Sequence, residues 1–231
     1  MLKLIKLELK KFKTNWYVNG ALIATLFMAI VMSVLPYVER TFDNAVVFQN
    51  YSEAFHAINT AQSSIFIVFA SVLIAKLIID EYKFKTITVL FTYPISRKKM
   101  MTAKLLLIVL MTFVTILISS IVVTVVFITA EKMLNNINEP LTFQLLTRQV
   151  IGITTTSLAA SGIGLIPLFF GMLRKSVPVT IVTSLIVVSV LGFDLNNFQM
   201  EQIIAIPLTF CTIGIIVAYI AVRNIDKQDL I

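Results

Sequence analysis

The amino-acid sequence predicts an all-α integral membrane protein with six transmembrane helices. Of its 231 residues, 58% are hydrophobic and only 13% are charged, and its mean hydropathy is +0.93. A soluble domain is typically about 45–50% apolar and about 25% charged, so this chain has too few charges to cover a water-facing surface. Six apolar runs approach the roughly 20 residues that a helix needs to cross a bilayer core. None shows the alternation of polar and apolar residues that is typical of a barrel strand.

The six runs define one transmembrane domain over residues 1–231. Within lipid a chain segment must satisfy its own backbone hydrogen bonds, and a helix does so. Pro36, Pro167 and Pro207 are expected to kink or end spans. The predicted spans lie at about 16–38, 61–79, 104–130, 149–173, 177–193 and 203–222.

The distribution of basic residues predicts the orientation of the chain. An even number of spans places both termini on one side of the membrane. Sixteen of the 19 Lys and Arg residues fall on that side, against Arg40, Lys132 and Arg148 on the other. The positive-inside rule therefore predicts that both termini and the long loop 80–103 are cytoplasmic. The outward loops are 39–60, 131–148 and 194–202.

The first 15 residues predict an amphipathic helix at the membrane surface. On a helical wheel five apolar residues share an arc of about 80°: Leu2, Ile5, Leu9, Phe12 and Trp16. A neighbouring arc of lysines would face anionic headgroups. Those lysines are Lys3, Lys6, Lys10 and Lys13. The alternative is a generic positive anchor that only sets the orientation.

The loop 80–103 is far longer than a connection between two spans requires. Its sequence predicts a short helix from Glu81 to about Thr92, with Phe84 and Phe91 on one face. Asp80 and Glu81 suit the positive end of such a helix. Pro94 would end it, because the residue before a proline is disfavoured in helical conformation, and Ser96 is a suitable N-cap for the third span. The alternative is a solvated loop helix whose charges only orient the protein.

The segment "DEYKFKTITVLFTYPISRKKMMTAK", residues 80–104, resembles the cytoplasmic loop of ABC-2-type transporter permeases, the membrane subunits of bacterial ABC exporters. Their pattern is an acid, a basic turn with Thr, a hydrophobic stretch, and Pro-Ile-Ser-Arg leading to a Lys. Many members have Gly before the Thr, where this chain has Lys85. The matching positions are Glu81, Thr86, Leu90, Pro94, Ile95, Ser96, Arg97 and Lys104.

The resemblance implies that this loop carries a coupling helix, which docks on a separate ATP-binding subunit. The working unit would contain two such subunits and two permeases, the second being the same or a related chain, in the bacterial plasma membrane. ATP and Mg would be bound in the partner, because this chain has no G-x-x-x-x-G-K-[ST] motif. The chain itself is then not an enzyme and binds no cofactor. The expected coupling residues are Glu81, Phe84, Lys85, Thr86, Phe91, Pro94, Ser96 and Arg97.

The fourth span is the most polar and contains candidate residues for a substrate path. These are Thr155, Ser157, Ser161 and Gly164. Close helix packing through small residues is the alternative interpretation. No acid lies near the middle of a span, which argues against a proton-driven transporter. His56, the single histidine, has no second ligand nearby in the sequence, so no metal site is expected.

The sequence thus favours the membrane subunit of an ABC exporter for amphipathic or hydrophobic cargo. The resemblance implies antimicrobial or cytolytic peptides, with drugs and lipids as open alternatives. The second hypothesis is a membrane sensor or scaffold that docks a cytoplasmic protein without transport. An ion- or proton-coupled transporter is the third. The basic residues are spread over several loops, so nucleic acid is not an expected partner.

Overall fold

A computed structural model describes residues 14–42, 48, 50–83, 97–134, 137, 140–192, 194–195, 198–199 and 205–228 of the chain. The described part is helical apart from short turns and one pair of two-residue strands, β1 (Asp194–Leu195) and β2 (Phe198–Gln199), which are antiparallel. The helices are α1 (Thr14–Phe42), α2 (Tyr51–Lys83), α3 (Arg97–Leu134), α4 (Phe143–Ile163), α5 (Pro167–Arg174), α6 (Val177–Leu191) and α7 (Ala205–Gln228).

Helix α2 is one continuous helix in which a π-helical segment interrupts the α-helical winding. An α-helix over Tyr51–Ile74 is followed by a π-helical segment over Ala75–Ile79 and a last α-helical turn over Asp80–Lys83. The helix lies in the interior of the bundle. In its most apolar window 67% of the residues are buried, against 33% in α1. Helix α2 therefore packs on several neighbours at once, whereas α1 presents much of its apolar surface outward.

The described part of each predicted span is helical over most of its length, with a turn at Gly164–Ile166 in the fourth, while residues 193, 203 and 204 of the fifth and sixth lie outside the described residues. By length and composition, four helical stretches in the described residues are able to cross a membrane: Asn15–Val38, Tyr51–Lys83, Lys98–Leu134 and Phe143–Arg174. Val177–Leu191 and Pro207–Arg223 are apolar but shorter. A membrane protein with apolar helices is thus confirmed, while the count of six spans stays a prediction.

Helix ends differ from the predicted span ends where polar residues extend the helices. Helix α2 begins at Tyr51, whereas the predicted second span begins at residue 61, so residues 51–60 of the predicted outward loop are helical. Helix α3 likewise extends past both ends of the predicted span 104–130. Hydropathy marks the part of a helix that suits lipid, but the backbone hydrogen-bond ladder continues into water wherever the residues tolerate it.

The prolines act differently in the two long helices that contain them. Pro36 lies inside α1 without ending it. The fourth helical region instead ends at Ile163, turns through Gly164–Ile166 and restarts at Pro167 as α5. The turn is closed by two i→i+3 bonds, from the Leu165 N–H to the Gly162 carbonyl (3.0 Å) and from the Ile166 N–H to the Ile163 carbonyl (2.9 Å). Pro167 begins a helix well because its missing N–H would have no helical partner there.

Glycine lets the backbones of α4 and α7 touch. A Cβ added to Gly214 would lie 2.0 Å from the Gly162 carbonyl oxygen, and one added to Gly162 would lie 2.3 Å from Cys211 Sγ. Small residues at such a crossing replace side-chain packing by direct backbone contact, which is typical of helices associating in lipid. The α4–α7 contact therefore fixes one wall of the bundle.

Candidate functional site

A buried ion pair joins the last turn of α2 to the first turns of α3. The Lys104 ammonium forms a short ion pair with the Glu81 carboxylate and donates a second hydrogen bond to the Leu77 carbonyl oxygen at 2.9 Å. The Lys104 side chain is 4% exposed and the Glu81 side chain 13%. Charges removed from water this far are stable only when they are paired and hydrogen-bonded. The two side chains therefore hold the ends of α2 and α3 together.

The backbone beside this pair is π-helical. The Asp80 N–H donates to the Ala75 carbonyl, five residues back, and Leu77 lies within the same segment. Short π-helical segments inside α-helices are frequent at functional sites. Here the segment contributes a backbone acceptor to Lys104, so the ammonium is held by a carboxylate and a carbonyl of the same helix.

Glu81 belongs to α2 in this structure. The predicted loop helix begins at Glu81, but α2 continues through Asp80 and Glu81 to Lys83. A carboxylate in the last turn of a helix is disfavoured by the helix dipole, and the Lys104 ammonium offsets that cost. The two ends of the family-like motif thus meet in space, although 23 positions separate them in the chain.

Most other predicted coupling residues lie outside the described part of the chain. These are Phe84, Lys85, Thr86, Phe91, Pro94 and Ser96. Arg97 is the first residue of α3. The predicted coupling helix itself also falls there, as do the lysines of the predicted surface helix, Lys3, Lys6, Lys10 and Lys13. Those assignments stay predictions.

A cation–π contact lies near the same end of α2. The Lys76 ammonium is 4.2 Å from the centre of the Trp16 ring, and Trp16 is 53% exposed. A lysine over an indole at a lipid–water boundary is favourable because the ring face is electronegative and the ammonium keeps contact with water. This contact agrees with a membrane boundary at the level of Trp16 and Lys76.

A cavity of about 340 Å³ lies between α2 and α4, toward the opposite ends of these helices from Glu81. Leu191 of α6 and Pro207 of α7 close part of it. Its polar lining consists of His56, Asn59, Thr60, Ser63, Arg148, Thr155 and Thr156. Its other lining residues are Ile67, Ile151, Gly152, Ala159, Ala160, Ile163, Leu191 and Pro207.

The four residues predicted for a substrate path divide between this cavity and the packed core. Thr155 lines the cavity. Ser157 and Ser161 are buried and donate to carbonyls of their own helix, Ile153 at 2.6 Å and Leu158 at 2.8 Å. A Cβ on Gly164 would lie 2.8 Å from the Ala70 Cβ. Packing thus accounts for three of the four positions.

A network of neutral polar side chains crosses the bundle beside the cavity and was not anticipated from the sequence. Asn59 and Gln149 exchange two amide hydrogen bonds of 3.1 and 3.3 Å, and Gln149 Nε2 also donates to Thr124 Oγ1 at 3.0 Å. Deeper in, Ser119 Oγ donates to Gln62 Oε1 at 2.9 Å and lies 2.7 Å from Thr25 Oγ1.

The signal for this network was present in the sequence. Asn59 and Gln62 are three residues apart, a spacing that places both on one face of a helix. It was missed because residues 51–60 were assigned to a loop and Gln149 to a span end. Within the described residues, no group of three or more His, Cys, Asp or Glu residues is placed to hold a metal ion.

Comparison with known proteins identifies the family. The family model described as "ABC-2 family transporter protein" matches residues 4–193, which is most of the chain. The chain belongs to the ABC-2 transporter family. It is also 42% identical to an uncharacterized protein, YcbO, of Bacillus subtilis (strain 168), over 228 residues that cover 99% of this chain and 100% of the relative. No solved structure matches the chain significantly.

Membership of the ABC-2 family confirms the resemblance seen in residues 80–104. It identifies a transporter permease embedded in the membrane, of a type that works with an ATPase subunit. The matched residues 4–193 include Glu81, Lys104 and the α2 and α4 walls of the cavity. The ion pair and the cavity are therefore features of the matched region.

Proposed function

We propose that this ABC-2 family protein is the transmembrane subunit of an ATP-driven exporter in the bacterial plasma membrane. It moves amphipathic or hydrophobic cargo outward, with antimicrobial or cytolytic peptides as the class that the family resemblance favours. ATP and Mg are bound and ATP is hydrolysed in a separate subunit, present in two copies, while this chain hydrolyses nothing. A second permease, the same or a related chain, completes the unit, and both termini face the cytoplasm.

The Glu81–Lys104 ion pair is the observation that carries this proposal. It joins the end of α2 to the start of α3, on either side of residues 84–96 in the sequence. A partner that displaces this segment must therefore move α2 and α3 together. Asn59, at the cavity, lies 22 residues from Glu81 on the same helix, a distance of about 33 Å along the axis. Helix α2 thus links the base of the loop to the cavity wall.

The strength of the pair suits such a link. Reversing a two-state equilibrium from 1:99 to 99:1 takes about 5.5 kcal/mol. Removing one partner of a buried ion pair typically costs about 3–5 kcal/mol. Breaking the contact between α2 and α3 at this point would therefore cost a free energy of the same order as the switch itself, which favours movement of the two helices together.

The test is ATPase stimulation in proteoliposomes that contain this protein and a candidate ATP-binding subunit encoded beside it. We expect the wild-type chain to co-purify with that subunit and to raise its turnover. Glu81→Lys or Lys104→Glu alone should abolish the stimulation, because each places like charges together in a buried site. The exchanged pair Glu81→Lys/Lys104→Glu should recover part of it. Lys99→Glu, at an exposed position of the same helix, serves as the matched control.

Two outcomes would count against the proposal at different levels. Full stimulation by both single variants would show that the ion pair does not couple the loop to the bundle. A wild-type chain that neither binds the ATP-binding subunit nor changes its turnover would overturn the exporter itself. The second result would favour a membrane sensor or scaffold.

A further inference from the structure

The cavity between α2 and α4 has the dimensions of a small-molecule site. Its volume of about 340 Å³ falls near the lower end of the range for such sites, about 300–1,000 Å³. Its lining runs along α2 from His56 to Ile67, about 16 Å, and along α4 from Arg148 to Ile163, about 22 Å. It is thus long for its volume, which suits a single extended chain better than a whole folded peptide.

The two ends of the cavity differ in polarity. Ile67, Ala160, Ile163 and Leu191 line the end toward the middle of the bundle. His56 and Arg148 lie at the other end, in the first turns of α2 and α4. Among the described residues that line the cavity, Arg148 is the one side chain with a permanent charge, and none is acidic. An occupant with an apolar body and an anionic head would match both ends.

The hydrogen-bond donors at the polar end point to the same pair of residues. Thr155 and Thr156 donate their hydroxyl protons to backbone carbonyls of α4, at distances of 2.7–3.3 Å. The Asn59 amide is engaged with Gln149. In the part of the chain that the structure describes, no hydrogen bond or ion pair involves the side chain of His56 or Arg148. With the hydroxyls of Thr60 and Ser63, these two side chains are the lining donors that make no hydrogen bond within the described residues. Arg148 is the one among them with a permanent charge, and a guanidinium suits a carboxylate or phosphate.

We propose that this cavity binds a single-chain amphiphile with an anionic head, its chain lying along Ile67 and Ile163 and its head against Arg148 and His56. Among the amphipathic or hydrophobic cargoes of the proposed function, this selects a single-chain anionic amphiphile in place of the peptide class that the family resemblance favours, and the occupant's role as cargo rests on that function. A cationic amphiphile is disfavoured, because its head would meet Arg148 with no acidic residue of the described lining to balance it.

Photo-crosslinking tests the proposal in the intact chain. The protein is reconstituted in phosphatidylcholine nanodiscs and labelled with dodecyl phosphate that carries a diazirine in its chain. We expect the labelled peptides to come from α2 and α4 at the cavity, and excess dodecyl phosphate to suppress the labelling. Dodecyltrimethylammonium, which has the same chain and the opposite charge, should compete at least about tenfold less well, as expected for the loss of one charge-assisted hydrogen bond.

Two pairs of variants localise the binding. Thr155→Phe should block the cavity, whereas Thr154→Phe, at the adjacent exposed position outside the lining, should leave labelling unchanged. Arg148→Gln should weaken competition by dodecyl phosphate at least about tenfold. Lys132→Gln, a basic residue predicted on the same side of the membrane but outside the lining, is its control. Labelling outside the cavity, or equal competition by the two amphiphiles, would overturn the proposal.

Two further measurements identify the source of the ligand and test the cavity site independently of the exporter hypothesis. Nanodiscs containing phosphatidylglycerol show whether the membrane's own anionic lipid displaces the probe, and displacement by this two-chain lipid would overturn the assignment to a single-chain amphiphile. Persistent labelling assigns the site to a single-chain solute. Because crosslinking needs no ATP-binding subunit, a failure of ATPase stimulation with intact labelling would overturn the exporter and not this site. Normal ATPase stimulation without labelling of the cavity would overturn this site and leave the exporter standing.

Discussion

The two ends of α2 hold polar groups inside the bundle in opposite ways. Near its C-terminal end, one ion pair between Glu81 and Lys104 concentrates full charges at a single point. In its N-terminal half, the neutral side chains of Asn59 and Gln62 distribute hydrogen bonds over three other helices, α1, α3 and α4. Both arrangements join α2 to α3, but the first centres on one pair of charged side chains and the second involves six neutral side chains.

This contrast teaches where the structure is expected to be stiff and where it is able to rearrange. Separating a buried charge from its partner costs a large free energy. The contact between α2 and α3 at Glu81 is therefore expected to stay formed when other parts of the bundle rearrange. Hydrogen bonds between neutral side chains in a membrane are worth little individually, about 0.6 kcal/mol on average. The helices around the cavity are thus free to exchange partners while the base of the loop stays fixed.

The largest effect is expected from breaking the ion pair. Lys104→Met should lower the free energy of unfolding by about 3 kcal/mol, because it removes the ammonium that neutralises the Glu81 carboxylate, which is only 13% exposed. Chemical unfolding in mixed micelles measures the loss. Lys99→Met, at an exposed position one turn away, should change stability by less than about 0.5 kcal/mol.

A double variant distinguishes the lost charge partner from lost packing. Glu81→Gln/Lys104→Met should be more stable than Lys104→Met, since it leaves no unpaired buried charge. If the double variant is as unstable as the single one, the stability comes from the packing of the Lys104 stem, and the contrast between the two ends of α2 loses its basis.

An intermediate effect is expected in the neutral network. Asn59→Leu and Gln149→Leu should each cost about 1 kcal/mol, with a coupling energy near 0.6 kcal/mol in a double-mutant cycle measured by the same unfolding assay. Gln144→Leu, on an exposed position of α4, is the control for the change of side chain. A coupling energy above about 2 kcal/mol would mean that this network is as concentrated as the ion pair.

The smallest effect is expected at Gln62. Its carbonyl oxygen accepts from Ser119, but its Nε2 is buried and has no hydrogen-bond partner among the residues that the structure describes. Gln62→Met keeps the volume and removes an unsatisfied donor together with the acceptor of Ser119. The Ser119 hydroxyl still lies 2.7 Å from Thr25 Oγ1 and can bond there instead, so stability should change by less than about 0.5 kcal/mol. A measured loss above about 1 kcal/mol would show that the amide makes a contact in the folded protein that this conformation does not contain.

The sequence predicted those parts of the structure that follow from hydropathy and local chemistry. Six apolar runs indicated six helical regions, and Pro167 indicated the break between α4 and α5. The family-like motif contained both Glu81 and Lys104, yet nothing in their spacing showed that the two side chains meet. That contact depends on how α2 and α3 pack, which is a property of the folded bundle.

The candidate cavity illustrates the same limit. Thr155 was predicted because hydroxyl residues cluster in the fourth span, but so were Ser157 and Ser161, which are buried in packing. All three residues lie on α4. Which of their side chains line the cavity depends on where α2, α6 and α7 pack. Arg148 and His56 were assigned to loops by hydropathy, although both lie in helices that line the cavity.

The π-helical segment Ala75–Ile79 has a consequence for comparing this chain with its relatives. A π turn contains one residue more than an α-helical turn with the same rotation. Helix α2 therefore holds one residue more than an unbroken α-helix would need to place Glu81 against Lys104. A relative that lacks one residue between Ile74 and Asp80 can present the same acid to the same lysine through an unbroken α-helix. An alignment gap at that position would therefore record a change of helix winding, and the ion pair would survive it.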